Sequence, residues 1–160
     1  MADSLSDGRT RVYWVLTIGS ALLNPTTAEL NAGTNLSPLL TPDGLVGFEP
    51  ETADVDVSSI DSTFDTKVAG RASFSGTLLR LKKATGSDAV YNAFIRDVAG
   101  FVVVRRDLAS GTAWGAAQAV EVYPSITGET RNLAPESNTV HRYEVPIKIS
   151  ATPNLRATTS

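Results

Sequence analysis

The sequence predicts a mainly β protein: an antiparallel β-sandwich or barrel with one flanking α-helix and a long extended arm or hairpin. Several short segments alternate apolar and polar residues, whereas only one long segment has helical periodicity. Turn residues separate the strand candidates, as in antiparallel sheets. At 160 residues with 42% apolar and 19% charged composition, the chain is expected to form a single domain over residues 1–160.

Five segments are predicted as strands, because they alternate or form short apolar runs of strand length. They are residues 11–17, 71–81, 100–107, 118–123 and 142–149. The first places Val12 and Trp14 on one face and Tyr13 on the other, which is typical of a strand covered on both sides. The second contains Gly76, which is expected to form a bulge or to allow a close approach of another backbone segment.

Two prolines limit the last two of these strands, because proline has no N–H to donate to a sheet. Pro124 is expected to end the strand at 118–123 or to place it at an edge. Pro146 lies inside the most regular alternation, in which Tyr143, Val145 and Ile147 share one face. We therefore expect the strand at 142–149 to be an edge strand or to contain a bulge.

The flanking helix is predicted at residues 88–98, where Val90, Phe94 and Val98 recur at helical spacing. Either Thr85 or Ser87 is expected to cap its first turn. A shorter helical turn is expected at residues 26–32, because Thr26 and Glu29 have the spacing of a capping box.

Two segments are predicted to lie outside the core. Residues 33–68 are rich in Thr, Ser, Asp and Pro, and a stretch of this length without a core is uncommon in a compact domain. It is interpreted as an extended arm whose contacts lie on another surface. Residues 151–160 are polar and are expected to form a C-terminal tail.

Charge is distributed unevenly along the chain. Residues 43–66 contain seven acidic and no basic residues, so this segment carries −7 and the rest +4, giving the net charge of −3. A strongly acidic segment attached to a basic remainder indicates an interaction role.

No catalytic chemistry is indicated by the residues. The chain has no cysteine and one histidine, His141, next to Arg142 in a predicted strand. No nucleophile elbow, phosphate-binding loop or zinc-protease motif occurs. Acidic spacing at residues 54–65 imitates a calcium loop but lacks its glycine and its final glutamate, so a solvated strand face is the preferred interpretation. We expect no enzyme activity, no cofactor and no metal.

Neither a secretory leader nor a membrane segment is indicated. The N-terminus has no basic and apolar regions in sequence, and the most strongly apolar run is residues 101–104. Synthesis and folding in the cytoplasm are therefore expected.

The sequence resembles the major tail tube proteins of long-tailed, non-contractile bacteriophages. The resemblance is carried by residues 11–15, 24–36, 70–76, 88–98 and 123–135, and it covers most of the chain without any catalytic signature. It implies a β-sandwich or barrel with one helix, assembled as stacked hexameric rings. Strands of neighbouring subunits would join into an inner barrel around a channel for DNA, and a long loop or hairpin would contact neighbouring subunits and rings.

The resemblance also implies a location in the virion after assembly in the host cytoplasm. The expected partners are further copies of the chain and other tail proteins such as the tape measure, terminator and distal tail proteins. DNA would pass without specific binding, and no membrane insertion is expected.

The candidate residues for contact between subunits or with the channel are four aspartates, two adjacent arginines and a tryptophan. They are Asp54, Asp56, Asp61, Asp65, Arg105, Arg106 and Trp114. The aspartates are expected to meet the neighbouring ring, with the channel lining as the alternative. Adjacent strand residues point to opposite faces, so Arg105 and Arg106 are expected to form ion pairs rather than one basic patch.

Two other functions stay open at this point. One is another phage tail or head component, such as a tail terminator, a baseplate hub or a decoration protein. The other is a carbohydrate-binding β-sandwich module, for which Trp14 and Trp114 would have to provide exposed aromatic platforms.

Overall fold

A curled antiparallel sheet dominates the computed structural model, which describes residues 2–160. Strands account for 40% of the chain and helices for 7%, so the mainly β prediction is confirmed as a half-barrel with two short helices. The elements of residues 2–160 are β1 (Arg11–Val15), α1 (Thr27–Ala32), β2 (Thr34–Asn35), β3 (Leu40–Val46), β4 (Glu51–Asp56), β5 (Lys67–Ser73), β6 (Leu78–Lys82), α2 (Ala89–Ala93), β7 (Ala99–Arg105), β8 (Ala119–Thr127), β9 (Arg131–Asn132), β10 (Arg142–Ile149) and β11 (Asn154–Thr158).

The main sheet has the order β2-β1-β7-β8-β10-β6-β3, with β11 added to β8 and β9 added to β10. Both of its faces are covered. The larger core cluster contains residues of strands from β1, near one edge of the sheet, to β3 at the other edge. Strands this far apart in the sheet meet only on its concave side, so this cluster fills the inside of the half-barrel. A second cluster on the opposite face packs β1, β7, β8 and β11 against α1 and Trp114. The prediction that β1 is covered on both sides is confirmed, since Val12 and Trp14 belong to the first cluster and Tyr13 to the second.

β10 spans the predicted residues 142–149, but its placement at an edge or a bulge is wrong. It pairs without a register shift with β6, and it pairs with β8 along Ile147–Ile149. Pro146 accepts a hydrogen bond from the Gly128 N–H at 2.7 Å. The N and C=O of a strand residue point to the same side, so the missing N–H faces the gap between β9 and β8, where no ladder bond is lost.

β8 runs past Pro124 to Thr127, so the prediction that this proline ends the strand or marks an edge is also wrong. The strand lies between β7 on one side and β10 and β11 on the other. The Pro124 carbonyl accepts from Ser150 N at 2.9 Å. Its N therefore faces the connection from β10 to β11, where the partner strand changes. Each proline thus lies where the neighbouring strand on its side is replaced by another. No sheet hydrogen bond is lost there, so an interior strand can contain a proline.

The segment predicted as one strand at residues 71–81 is two strands in two different sheets. β5 ends at Ser73 and β6 begins at Leu78. Gly76 between them has φ +63°, a left-handed conformation that glycine adopts without steric cost, and its backbone lies so close to Gly47 that a Cβ on Gly47 would meet the Gly76 carbonyl carbon at 2.8 Å. The turn residues that flank Phe74 explain the division.

The flanking helix is shorter than predicted. α2 covers Ala89–Ala93 and is capped by Asp88, which accepts from Tyr91 N at 3.0 Å, so Thr85 and Ser87 are not the caps. The stripe nevertheless packs as predicted, with Phe94 edge-on to Trp14 at 5.3 Å between ring centroids. The apolar stripe continues to pack against the core after Ala93, where the helix ends. α1 has the predicted capping box between Thr26 and Glu29.

The two segments predicted to lack a core contain buried residues. Within 33–68, Leu36 and Phe48 are buried, and β2 and β3 belong to the main sheet. The C-terminal residues form β11 against β8, with Ala157 fully buried, so they are not a free tail. The last residue is fixed by backbone hydrogen bonds, since Ser160 N donates to Pro25 O and Thr27 N donates to Ser160 O.

Candidate assembly surface

A free-standing β-hairpin projects from the residue range that was predicted as an arm. β4 and β5 pair only with each other as a two-stranded sheet, and residues 57–66 connect them. All residues of β4 and all but Gly70 of β5 are exposed. We call β4, β5 and their connection the ribbon, and residues 59–65 its tip. An isolated two-stranded hairpin is marginally stable in water, so the ribbon lacks the packing that stabilises the other strands.

One face of the ribbon is apolar and uncovered. Val55 lies directly opposite Val68, and strand alternation places Val57 on the same side. Their exposed fractions are 46%, 51% and 53%. The tip adds Ile60 and Phe64, exposed by 106% and 75%. Exposed apolar side chains concentrated on one projecting element in this way indicate a protein–protein contact.

The four predicted aspartates are all in the ribbon, and we call them the acidic cluster. Asp54 and Asp56 lie on β4, on the face opposite Val55, while Asp61 and Asp65 lie in the tip. Lys67 reaches Asp54 at 3.4 Å, with both side chains more than half exposed. The structure therefore places the cluster on one projecting element, with apolar side chains between its members.

Local hydrogen bonds keep part of the acidic cluster ionised. Hydrogen bonding from the Ser58 side chain and backbone lowers the pKa of Asp56, and the Ser59 hydroxyl lowers the pKa of Asp61. These carboxylates stay charged down to lower pH than usual. Within residues 2–160, no three or more His, Asp or Glu side chains are grouped so that they could hold a metal ion.

Arg105 lies inside the protein, away from the ribbon. It is fully buried and donates to the carbonyls of Ala109 and Thr112 and to the Gln118 side chain at 2.9–3.0 Å. Burial, together with the nearby charge of Arg11, lowers its pKa. The predicted ion pair for Arg105 is wrong: its guanidinium fastens the connection between β7 and β8 through neutral acceptors.

Arg106 points to the opposite face and forms the expected ion pair within the chain. Its guanidinium contacts both carboxylate oxygens of Glu121, at 3.1 and 3.3 Å. The Tyr123 hydroxyl donates to the same carboxylate at 2.9 Å. Arg106 therefore ties β7 to β8, and half of its side chain stays exposed.

Trp114 is a core residue of the second cluster. It is 8% exposed and meets the Tyr13 ring edge-on, with centroids 5.2 Å apart. The guanidiniums of Arg11 and Arg105 lie 4.9 and 4.8 Å from its ring centroid. Trp14 is also buried, so neither tryptophan provides an exposed aromatic platform for a sugar.

Sequence reasoning missed the apolar half of the site. Residues 52–57 alternate in the way a strand does, but they contribute little apolar area to a core. The signal lay in the valines between the aspartates, because a strand that alternates Asp with Val has one charged and one apolar face. Pairing with Val68 then joins the apolar positions of two strands.

Comparison with known proteins places this fold in context. A family model described as "Phage tail tube protein" matches residues 1–160. No curated protein matches the chain. Among solved structures, a chain described as "Cryo-EM structure of the anti-feeding prophage (AFP) baseplate, 6-fold symmetrised" is similar with a TM-score of 0.62. The identity is 8%, and the match covers 96% of both chains, so this likeness concerns the fold. No helix within residues 2–160 is long and apolar enough to cross a membrane.

Proposed function

This chain belongs to the phage tail tube protein family, whose members are structural components of phage tails, and we propose that its copies assemble into stacked hexameric rings that form the tail tube. DNA would pass through the channel of that tube. As a tail component the protein belongs to the virion and assembles with other tail proteins. The tape measure, terminator and distal tail proteins are the proposed partners, and assembly in the host cytoplasm is proposed with them.

The observation that carries this proposal is the exposed apolar face of the ribbon. About half of each valine side chain on this face is exposed: Val55, Val57 and Val68. Within residues 2–160, no other strand pairs with the hairpin that carries them. Contact with a second copy would bury these side chains and add the packing that a lone hairpin lacks. The ribbon is thus proposed as the inter-subunit part of the segment 33–68.

The acidic cluster is proposed to meet the neighbouring ring. The segment 43–66 carries −7 and the rest of the chain +4, so this acidic segment of one copy and the basic remainder of another attract each other. The attraction would set register and orientation and would weaken as salt rises. If some of these carboxylates face the channel instead, they would repel phosphates and keep DNA from binding.

Electron microscopy and sedimentation of the purified protein over a range of concentrations test the proposal. Tubes with a regular ring repeat are the expected result. Single rings or small oligomers that never stack would favour a terminator, baseplate hub or decoration protein. Persistent monomers would contradict the proposal, and glycan binding by such monomers would favour the carbohydrate-binding module despite the burial of both tryptophans.

A further inference from the structure

A groove lies at the base of the ribbon, where it meets the corner between β10 and β11. It has a volume of about 820 Å³, within the range of roughly 300–1,000 Å³ that is typical of concave binding sites. Phe74 forms part of the wall on the ribbon side, and Ile147, Ile149 and Leu155 form part of the opposite wall. The groove is therefore largely apolar.

Two cations line this groove without a carboxylate partner. Arg71 of β5 and Lys148 of β10 both lie in its wall, and both are exposed. Neither takes part in a salt bridge among residues 2–160. A fitting occupant is therefore an apolar segment that carries negative charge.

The tip of the ribbon has this chemistry. Ile60 and Phe64 are its most exposed apolar side chains, and Asp61 and Asp65 each follow one of them directly. We propose that the tip of one copy inserts into the groove at the base of the ribbon of a second copy; this inference rests on the proposed self-assembly. Phe64 and Ile60 enter the apolar part of the groove, and the two aspartates pair with Arg71 and Lys148.

A contact of this kind has to form between copies. β4 has 6 residues, and at about 3.3 Å per residue the ribbon extends roughly 20 Å from its base to the start of the tip. The tip of a copy therefore cannot reach the groove at its own base. Donor and receptor lie at opposite ends of one element, so the contact is heterologous and each added copy presents a new tip and a new groove. Such a contact propagates in one direction.

Cysteine crosslinking tests the proposed contact cleanly, because the chain has no cysteine of its own. Thr63→Cys in the tip and Ala151→Cys in the groove wall are prepared separately, mixed under assembly conditions and oxidised. We expect a disulfide-linked pair between the two variants, at least about tenfold more abundant than with Val140→Cys, a control on an exposed residue outside the groove. Equal crosslinking of the groove and control variants would overturn the inference.

Charge exchange provides a second test that does not depend on disulfide geometry. Reversing the tip (Asp61→Lys with Asp65→Lys) or the groove (Arg71→Glu with Lys148→Glu) should each raise the critical concentration for assembly about tenfold or more, because like charges then meet. Combining all four changes in one chain should restore most of the loss. No restoration would contradict the pairing. Normal tubes without the crosslink would refute this contact and leave the proposed function intact, whereas failure of the unaltered protein to assemble would refute both.

Discussion

Replacing Val55 and Val68 by threonine tests whether the apolar face of the ribbon is buried on assembly. Threonine keeps the β-branched shape, so the hairpin retains its strand preference. Complete burial of a valine side chain contributes roughly 1.5–3 kcal/mol. Because the two valines are 46% and 51% exposed, each has about 1 kcal/mol left to gain, or about 2 kcal/mol for the pair. A loss of that size raises the critical concentration for assembly about 30-fold.

The assay is pelleting of assembled protein over a concentration series, with the midpoint of thermal unfolding measured in parallel. Val140→Thr is the matched control, since Val140 is 58% exposed and lies outside the ribbon. We expect the double variant to unfold at nearly the same temperature as the unaltered chain while it assembles only at much higher concentration. A critical concentration within about threefold of the unaltered protein, or an equal effect of the control, would refute the reasoning.

Three further predictions concern charged groups. Changing the whole acidic cluster to asparagine should weaken assembly and make it less sensitive to salt; turbidity that is unchanged at every salt concentration would rule out the contact with the neighbouring ring. Glu144→Gln should cost about 2 kcal/mol of unfolding free energy at pH 7, the size expected for charge-assisted hydrogen bonds, because this carboxylate, which is 6% exposed, pairs with Arg80 and Arg131. Burial disfavours the charged form of Glu144, but the two arginines outweigh burial and lower its pKa. The difference in unfolding free energy between the two proteins, measured by urea titration, should therefore persist above the unfolded pKa of about 4.3. It should vanish as the pH falls through the lowered pKa of the folded protein. Arg105→Lys should cost about 3 kcal/mol and speed proteolysis within residues 107–118, since lysine keeps the charge but cannot reach all the carbonyls; identical digestion would contradict the fastening role.

The strands with the strongest alternation were predictable from the sequence. β10 has the predicted bounds because Tyr143, Val145 and Ile147 repeat with the period of a strand over its whole length. Its neighbours were not predictable, because a proline reveals that one N–H is missing but not which side of the strand it faces. The changeover of partners at Pro146 depends on where β8 and β9 end, and that is a tertiary property.

Burial of the less patterned segments was also beyond the sequence. β11 contains one buried apolar residue, Ala157, and its pairing with β8 supplies backbone hydrogen bonds that no composition measures. The acidic cluster was placed on one element correctly, because its residues are close along the chain. The burial of Trp114 and Arg105 could not be predicted, since a Gly-rich loop and a basic doublet do not reveal that the two side chains stack on each other inside the fold.

The position of β10 in the sheet has a consequence for synthesis on the ribosome. β10 is the strand that joins β8 to β6, and it lies near the C-terminal end of the chain. Until residues 142–149 emerge, the strands of the main sheet that are already made can form only two unconnected parts, one around β7 and one of β3 with β6. The ribbon, by contrast, pairs residues that are near in sequence and can form early. A nascent chain therefore carries a finished hairpin on an unfinished body, and closure of the half-barrel is a late, non-local and correspondingly slow step.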